Sequence, residues 1–417
     1  MALVLSAEQQ AIATGARGEG AAMAMRIVAA TARLMGAPSL IPIASAHIDG
    51  ALYHGDSGTL FAEKLVAGGA RVAVRATLNV GSLDLTGCSK NRLPSHERGM
   101  ARRMMDAYRR LGCEPSWTCA PYQAGHRPAL GSDVAWGESN AVVFCNSVLG
   151  ARTNRYGDFL DIACAISGFA PYYGLHRPEN RRATVVFDVS GLDPAFLGSE
   201  VAWPILGSLY GREIGDAVGV VAGIAAHPGE DALKAFGAAS ASAGAVGLFH
   251  VAGVTPEAPD LAALHHQPPQ AVIRVTAEMI ADSRRRLSTA LDLNRIDAVA
   301  IGSPHLSAAE FDTLEALIGK RKLKVTLYAC TGRHALAALE EDGRRAALEA
   351  SGVVIVADTC VVVTPILPDI EGAVLMTNSG KFAHYAPGNT GYGVIYGSMA
   401  ECVESAVLGR PVFEAAT

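Results

Sequence analysis

The chain has 417 residues, of which half are hydrophobic and 18% are charged, and its formal net charge is -5. This length predicts two or three structural units, at roughly one domain per 150 residues, and the composition is typical of a well-buried globular enzyme. The charge balance argues against a nucleic-acid partner, and no apolar run approaches the roughly 20 residues of a membrane span. Because the first residues also lack the order of a secretory signal, we expect a cytoplasmic protein.

The N-terminal part mixes helical patterns with short apolar runs. Residues 6–36 are Ala-rich with helical spacing, and residues 100–111 are typical of an amphipathic helix with its basic residues outward. The run AVVFCNS at 141–147 is interpreted as a strand that places Cys145 near its end. We assign residues 1–181 to an N-terminal α/β lobe.

From residue 182 to residue 417 the alternation of apolar runs and helical stretches becomes regular, and we assign these residues to a C-terminal lobe of alternating strands and helices. Helical stretches such as 310–318 and 334–350 separate several short β-branched runs, which are ATVVFDVSG, AVGLFHVAG, DAVAIGSPH, KVTLYACTG, GVVIVADTC and GAVLMTNSG. Strands that alternate with helices predict an α/β fold with mostly parallel sheets. In such sheets ligands bind beyond the carboxyl ends of the strands. The polar residues at these predicted ends are Ser303, His305, Cys330, Asp358, Cys360, Asn378 and Lys381.

The eight cysteines stand singly, and no CxxC pair predicts a compact zinc module. In a reducing compartment isolated cysteines are buried thiols or metal ligands. Four of them we interpret as small apolar fillers, namely Cys88, Cys113, Cys164 and Cys402. Three thiolates from different loops would suit an iron-sulfur cluster. Spacing alone does not choose the three among Cys119, Cys145, Cys330 and Cys360.

The ordered motifs of the chain resemble the large, catalytic subunit of aconitase X, in the aconitase superfamily. The resemblance runs over nearly the whole chain, and its motifs are HGDSG at 54–58, NVGSLDL at 79–85, TCAPYQAG at 118–125, WGESNAVVFCNSVLGARTNRYGD at 136–158, YYGLH at 172–176, GSPH at 302–305, ADTC at 357–360 and MTNSGKFAHYAP at 376–387. It implies an aconitase-like, multi-lobed α/β/α architecture. It also implies a dehydratase that uses an iron-sulfur cluster, either [2Fe-2S] or of higher nuclearity.

The resemblance further implies a partner and a set of site residues. The family needs a small swivelling domain with a serine base, and since the motifs fill this chain we expect it as a separate small subunit. The predicted cluster ligands are Cys119, Cys145 and Cys360, with Cys330 in reserve. The predicted catalytic residues are His54, Glu138 and Lys381. The predicted substrate-binding residues are Asp56, Ser57, Asn79, Asn146, Arg152, Thr153, Asn154, Arg155 and Asn378.

Two substrates are known for the family, cis-3-hydroxy-L-proline and mevalonate 5-phosphate. The presence of both Ser303 and Cys145 and the stretch CNSVLGARTNRYGD resemble the hydroxyproline branch. The sequence also contains no GxxxxGK[ST] loop that would bind a phosphate. We therefore expect dehydration of cis-3-hydroxy-L-proline to Δ1-pyrroline-2-carboxylate. Mevalonate 5-phosphate is the alternative, because Arg152, Arg155 and Lys381 could hold a phosphate. A second alternative is a non-catalytic subunit that binds a small metabolite.

Overall fold

The computed structural model describes residues 3–261 and 268–413, and within them the strands form four sheets. The chain divides into two units. Unit 1 contains Met1–Leu83, Leu93–Arg182 and Thr255–Glu257, and unit 2 contains Asp84–Arg92, Ala183–Val254 and Ala258–Thr417.

Unit 1 is built on a short parallel sheet that helices cover. Its helices are α1 (Ala7–Ala13), α2 (Glu19–Leu34), α3 (Asp56–Ala67), α4 (Ser95–Arg110), α5 (Ser139–Ser147) and α6 (Leu160–Ser167). Its strands are β1 (Leu40–Pro42), β2 (Ser45–Ile48), β3 (Arg75–Leu78), β4 (Ala135–Trp136) and β5 (Phe169–Pro171). The parallel sheet has the order β3-β2-β4, and β1 pairs with β5 antiparallel.

The two helical patterns of the N-terminal part are confirmed. The first covers α1 and α2, which are separated by a short connection, and the second covers most of α4. In α4 the side chains of Met100, Met104 and Tyr108 are buried, whereas Arg102 and Arg109 are exposed. An apolar stripe at helical spacing therefore faces the core of unit 1, as expected for an amphipathic surface helix.

Unit 2 holds two fully parallel sheets. Its strands are β6 (Val185–Asp188), β7 (Gly219–Ala222), β8 (Phe249–Val251), β9 (Ala271–Arg274), β10 (Ala298–Leu306), β11 (Leu327–Thr331), β12 (Val353–Ala357), β13 (Val374–Thr377) and β14 (Gly393–Tyr396). Its helices are α7 (Pro194–Leu197), α8 (Ala202–Ile214), α9 (Glu230–Ala243), α10 (Ala277–Arg286), α11 (Ala308–Ile318), α12 (Arg333–Glu341), α13 (Arg344–Ser351), α14 (Gly380–Thr390) and α15 (Met399–Leu408).

The larger sheet of unit 2 has the strand order β12-β11-β10-β13-β14. The chain adds strands on one side of β10, returns, and continues on the other side with β13. In a doubly wound sheet, the point where the strand order reverses leaves a crevice at the carboxyl ends of the two strands, where ligands bind. This point lies between β10 and β13. The prediction of an α/β fold with mostly parallel sheets is confirmed.

The core of this sheet lies on both of its faces. Along β11 the side chains of Leu327 and Ala329 pack on one face, with helices α11, α12 and α15. Tyr328 and Cys330 alternate with them and pack on the other face, in the same cluster as Cys360. Strands that are buried on both faces have continuous apolar sequences, and this is why the sequence predicted these strands.

The interpretation of residues 141–147 as a strand was wrong. These residues belong to α5, in which every residue from Asn140 to Ser147 is buried. A helix that is buried on all sides is apolar all round, so its periodicity cannot be told from that of a buried strand. Cys145 therefore lies inside a helix and does not follow a strand. The stretch 334–350 differs in a smaller way, because Gly343, with φ +71°, separates α12 from α13.

Candidate active site

Polar side chains gather at the carboxyl edge of the larger sheet in unit 2. Ser303 lies near the end of β10, Cys330 near the end of β11, and Cys360 in the loop after β12. Lys381 belongs to the first turn of α14, which follows β13. Carboxyl ends of parallel strands meet at the same edge of a sheet. This edge therefore combines two thiols, a hydroxyl and an ammonium group.

Cys330 lies in strand β11 and Cys360 in the loop after β12, and their side chains are joined by a hydrogen bond. That bond lowers the pKa of the Cys360 thiol below its ordinary value against the opposing effect of burial, and the Val362 N–H, the Lys381 ammonium and the Ser303 side chain act in the same direction. A lowered pKa favours the thiolate, which is the form that attacks electrophiles and binds metals. The groups around Cys360 therefore stabilise negative charge on its sulfur.

The end of β10 is irregular where it meets this thiol pair. Its register with β11 shifts between Ile301 and Leu306, and within that stretch Gly302 has φ +91°. A side chain at Gly302 would overlap the carbonyl oxygen of Cys330, so only glycine allows the two strands to approach here. The irregularity places Ser303 beside Cys360. The Ser379 hydroxyl, which caps α14 by accepting from Phe382 N at 3.0 Å, also donates to Ser303 O.

A cavity of about 40 Å³ opens between the ends of β10 and β13. Ser303, Asn378, Lys381, Lys234 and Glu310 are among the side chains that line it. About 10 to 15 Å³ of such volume holds one water molecule, so the cavity by itself admits a few waters or a small polar group. It lies at the reversal point of the strand order, where the topology predicts ligand binding.

Lys234 brings a second ammonium group to this cavity, and sequence patterns did not single it out. Its side chain is 2% exposed, and its Nζ lies 2.8 Å from Asp231 Oδ1, 3.3 Å from His305 O and within contact of Glu310 Oε2. Glu310 also accepts from Ser307 N at 2.7 Å in a capping box. The S-x-x-E pattern at 307–310 was readable in the sequence, but its pairing with a lysine 76 residues away was not.

His305 stands on the same edge but is held neutral. Its side chain is fully buried and its Nε2 lies 3.3 Å from Thr359 O. Burial lowers its pKa to about 3, against the opposing effect of the Thr359 hydrogen bond. His305 therefore supports the loop that carries Cys360 as an uncharged hydrogen-bonding group.

In unit 1 the carboxyl ends of the strands also carry polar residues. Asp49 follows β2 and Asn79 follows β3, and the Asn79 amide donates to Asp49 Oδ1. Asp161 Oδ2 accepts from Asp49 N at 2.6 Å, and its side chain is fully buried. Burial raises the pKa of Asp161 to about 8, and the nearby Asp49 carboxylate acts in the same direction. Asn79 was predicted as a site residue, whereas the two aspartates were missed because neither lies in a recognised motif.

Glu138 and the two predicted cysteine ligands of unit 1 have well-defined places. Glu138 has φ +68° and its Oε2 accepts from Ala141 N at 2.7 Å, so its carboxylate caps α5. Cys119 is 6% exposed in the loop before Ala120. Cys145 is fully buried in α5, and burial raises its pKa against the opposing effect of the Arg181 charge. A thiol in such surroundings favours the protonated form.

The amides of the stretch 146–154 are engaged within unit 1. Asn146 donates to Thr153 O at 2.9 Å and accepts from Thr153 N at 3.0 Å and from Arg181 at 2.9 Å. Asn154 donates to Tyr173 O at 3.1 Å and accepts from Leu175 N at 2.8 Å. These bonds fix the loop around Thr153, so both asparagines occupy supporting positions. Their predicted contact with substrate stays a prediction.

The remaining predicted residues of unit 1 are more accessible. Arg152 is half-buried and its Nε has no hydrogen-bond partner, whereas Arg155 is exposed. His54 and Ser57 are exposed at the start of α3. Asp56 accepts from Tyr53 OH at 2.8 Å, and this bond, together with His96, holds its pKa below the ordinary value. The unsatisfied Nε–H of Arg152 is suited to an anionic ligand.

Comparison with known proteins identifies the family. Family models described as the first, second and third domains of aconitase X match residues 2–179, 183–285 and 296–408. The chain belongs to the aconitase X family. Its relatives include the cis-3-hydroxy-L-proline dehydratase of Pseudomonas aeruginosa, which is 45% identical over 97% of this chain and 70% of that protein. The phosphomevalonate dehydratase large subunit of Methanothermobacter thermautotrophicus is 38% identical over 92% of this chain and 93% of that protein.

The aconitase X relationship extends to three dimensions. A crystal structure of aconitase X from Thermococcus kodakaraensis, in its holo-form, superposes with a TM-score of 0.86 at 31% identity and covers 97% of this chain and 100% of that chain. The chain is accordingly an enzyme, a dehydratase of the aconitase X family, which removes the alternative of a non-catalytic subunit. Across the part of the chain that the structure describes, none of the helices is long and apolar enough to cross a bilayer.

Proposed function

We propose that this chain is the catalytic chain of an iron-sulfur dehydratase that converts cis-3-hydroxy-L-proline to Δ1-pyrroline-2-carboxylate. The observation that carries the proposal is the Cys330–Cys360 thiol pair, with Ser303 and Lys381 beside it, at the reversal point of the larger sheet. The 45% identity to a relative named for this activity supports the choice of substrate.

The donor atoms of this edge fit an iron-sulfur cluster. Soft thiolate ligands select iron-sulfur clusters, and the lowered pKa of Cys360 favours the thiolate. We therefore propose Cys330 as a ligand together with Cys360, although the sequence offered Cys330 only as a substitute for one of the three predicted ligands. Among the residues that the structure describes, no three His, Cys, Asp or Glu side chains form a group that could hold a metal ion. Cys119 and Cys145 stay predicted ligands.

The reaction needs help at two carbon atoms. The proton on C2 is weakly acidic beside a carboxylate, and the hydroxide on C3 is a poor leaving group. A bound iron-sulfur cluster with one open iron position would supply Lewis-acid stabilisation of the negative charge on substrate oxygen. Lys381 would hold the substrate carboxylate by charge, and that charge makes the loss of the C2 proton easier. Asn378, whose amide contacts Glu200, would orient the group that enters the cavity.

The base that takes the C2 proton is proposed to come from a partner. A relative that this chain matches over 93% of its length is named a large subunit, which implies a small one. We propose that the partner carries the serine base that the family resemblance implies. Positioned bases contribute about 10² to 10⁴ in rate, so the isolated chain should be nearly inactive. His54 and Glu138 stay predicted catalytic residues.

Mevalonate 5-phosphate is the second candidate substrate, since five curated relatives, including the one from Methanothermobacter, are named phosphomevalonate dehydratase large subunits. A phosphate ester would bring roughly 1.5 to 2 additional negative charges. The cavity contains two lysines, but the charge of Lys234 is already balanced by Asp231 and Glu310. Lys381 is a second cation at the cavity wall, and a small amino acid requires one cationic contact for its carboxylate. This charge balance favours the amino acid.

Anaerobic purification tests the cofactor in this proposal. We expect a brown protein that contains iron and acid-labile sulfide in comparable amounts. Replacing Lys381 by Met should leave that absorption in place and lower kcat/KM for cis-3-hydroxy-L-proline by at least about tenfold, through the loss of a charge-assisted contact. A colourless protein that lacks both elements would contradict the proposal.

A further inference from the structure

One ion pair with a buried carboxylate joins the start of α12, just after Cys330, to the loop that carries Cys360. Arg333 opens α12 three residues after Cys330, and Asp358 follows β12 two residues before Cys360. We propose that the Arg333–Asp358 ion pair is a positioning device that holds the Cys360 thiol against Cys330. We call this ion pair the clasp.

The clasp has the geometry of a strong, directional contact. Arg333 Nε lies 2.5 Å from Asp358 Oδ1, and Arg333 Nη2 lies 2.8 Å from Asp358 Oδ2. The same Oδ2 accepts from Leu85 N at 3.1 Å. The Asp358 side chain is fully buried, whereas that of Arg333 is 40% exposed. A bidentate guanidinium fixes both the distance and the orientation of a carboxylate, which a single hydrogen bond does not.

The backbone at Asp358 needs such a fixation. Its φ is +63°, in the left-handed region, which aspartate tolerates better than most non-glycine residues but still adopts at a cost in energy. Strained backbone of this kind persists only where the surroundings over-determine it. Arg333 and Leu85 supply three donors to the Asp358 carboxylate, and they act on this residue directly. Without them the chain can relax at Asp358, and Cys360 would move with it.

The pairing of the strands ends before the clasp. Strands β11 and β12 run in register from Leu327 with Val353 to Thr331 with Ala357. Beyond that point Thr359 is held by the Thr364 hydroxyl at 2.7 Å and by His305 at 3.3 Å, which come from its own loop and from β10. Arg333 therefore adds a link between the segment that follows Cys330 and the segment that precedes Cys360.

The clasp deepens the proposed cluster assignment, but it can be tested without a cluster. Phenylarsine oxide condenses with two thiols, forming two As–S bonds and releasing one water with no change of oxidation state. The ring closes only when both sulfurs lie close together. We would titrate the cluster-free full-length chain with phenylarsine oxide and locate the adduct by peptide mass spectrometry. The wild-type chain should form an adduct that joins Cys330 and Cys360, and Cys330→Ser should lose it.

Two substitutions test the clasp, and one serves as a matched control. Asp358→Asn keeps a side chain that tolerates left-handed backbone but removes the negative charge. Arg333→Lys keeps the positive charge but removes the guanidinium group that makes two parallel hydrogen bonds. We expect either change to weaken adduct formation by at least about tenfold, because a bidentate contact is lost. Glu315→Gln removes a carboxylate that Arg344 Nε contacts through both oxygens at 2.9 Å elsewhere in unit 2, and it should bind like the wild type.

Wild-type affinity in Asp358→Asn would overturn the proposal. If that variant is not recovered folded, wild-type affinity in Arg333→Lys overturns it equally, and so does an adduct that survives Cys330→Ser. The proposed function fails in a different way. A colourless chain in which Asp358→Asn still weakens the adduct would support the clasp while removing the cluster.

Discussion

At the residue scale, the same side chain behaves differently according to its surroundings. Cys360 lies among a thiol, a hydroxyl, a backbone N–H and an ammonium group, and its pKa is lowered. Cys402 is buried in α15 without such donors, and burial raises its pKa well above the ordinary value. The first environment stabilises negative sulfur and the second opposes it. The two cysteines therefore make a matched pair for testing which thiols bind iron.

We predict that Cys330→Ser and Cys360→Ser each remove the visible absorption of the anaerobically purified protein. Serine retains the size of the residue but not the soft sulfur ligand. Cys402→Ser, the control, should keep the wild-type spectrum and iron content. Cys119→Ser and Cys145→Ser measured in parallel would test the two predicted ligands of unit 1. An unchanged spectrum in Cys360→Ser would refute the assignment.

Asp161 offers a test of pH dependence in unit 1. Burial raises its pKa to about 8, whereas an aspartate in the unfolded chain titrates near 3.9. The folded chain thus retains a proton that the unfolded chain releases, so this stabilisation is complete below about pH 4 and is lost as the pH rises towards 8. Within that window the contribution falls by about 1.4 kcal/mol per pH unit.

We predict that Asp161→Asn flattens the fall in unfolding free energy between pH 5 and pH 8, as measured by urea denaturation. The variant lacks the titrating carboxyl, although its overall stability should be lower. Asp158→Asn changes a nearby exposed carboxyl and should keep the wild-type slope. If Asp161→Asn showed the same slope as the wild type, burial of a protonated Asp161 would be disproved.

Sequence patterns located some residues of the candidate site and could not locate others. Ser303, Cys360 and Lys381 were predicted because each follows an apolar run at a strand end. Lys234 was not predicted, because only the folded chain brings its ammonium group to Asp231 and Glu310. Motif membership alone also did not show that Asn146 has a supporting position, in which its amide bonds to Thr153 of the same unit.

At the element scale, the end of β10 is the most constrained part of the site. Gly302 combines positive φ with a backbone approach to Cys330 that leaves no room for a side chain. Gly343 has φ +71° between α12 and α13, but no atom lies within 4 Å of the position of an added side chain. The two glycines share the conformational requirement and differ in the steric one.

We predict that Gly343→Ala costs about 1 to 2 kcal/mol, which is the penalty for left-handed backbone. Gly302→Ala should cost about 1 to 3 kcal/mol more, because the added methyl group forces backbone atoms apart. Urea denaturation of the two variants measures the difference. Equal losses of stability would contradict the close approach of β10 to β11.

The elements were predictable to different degrees for physical reasons. Strands β10 to β13 appear in the sequence as short apolar runs because both faces of the sheet are buried. Helix α5 is also buried on all sides, so its sequence imitates a strand and the prediction at 141–147 was wrong. The strand order, which creates the reversal point, depends on long-range pairing that local patterns do not contain.

At the scale of the whole molecule, catalysis is proposed to require a second chain. We predict that co-expression with a small aconitase X subunit yields a complex that elutes as one species. The isolated chain should be slower than the complex by about 10² to 10⁴, the contribution of a positioned base. An isolated chain that turned over substrate at the full rate of the complex would contradict this prediction.

The most direct test of the account is an anaerobic assay of that reconstituted complex with both family substrates. Cis-3-hydroxy-L-proline needs one cationic contact for its carboxylate, which Lys381 can supply, whereas mevalonate 5-phosphate needs a further basic pocket for its phosphate. We predict rapid formation of Δ1-pyrroline-2-carboxylate and no detectable consumption of mevalonate 5-phosphate. Rapid dehydration of mevalonate 5-phosphate, with cis-3-hydroxy-L-proline left unchanged, would contradict the proposed function.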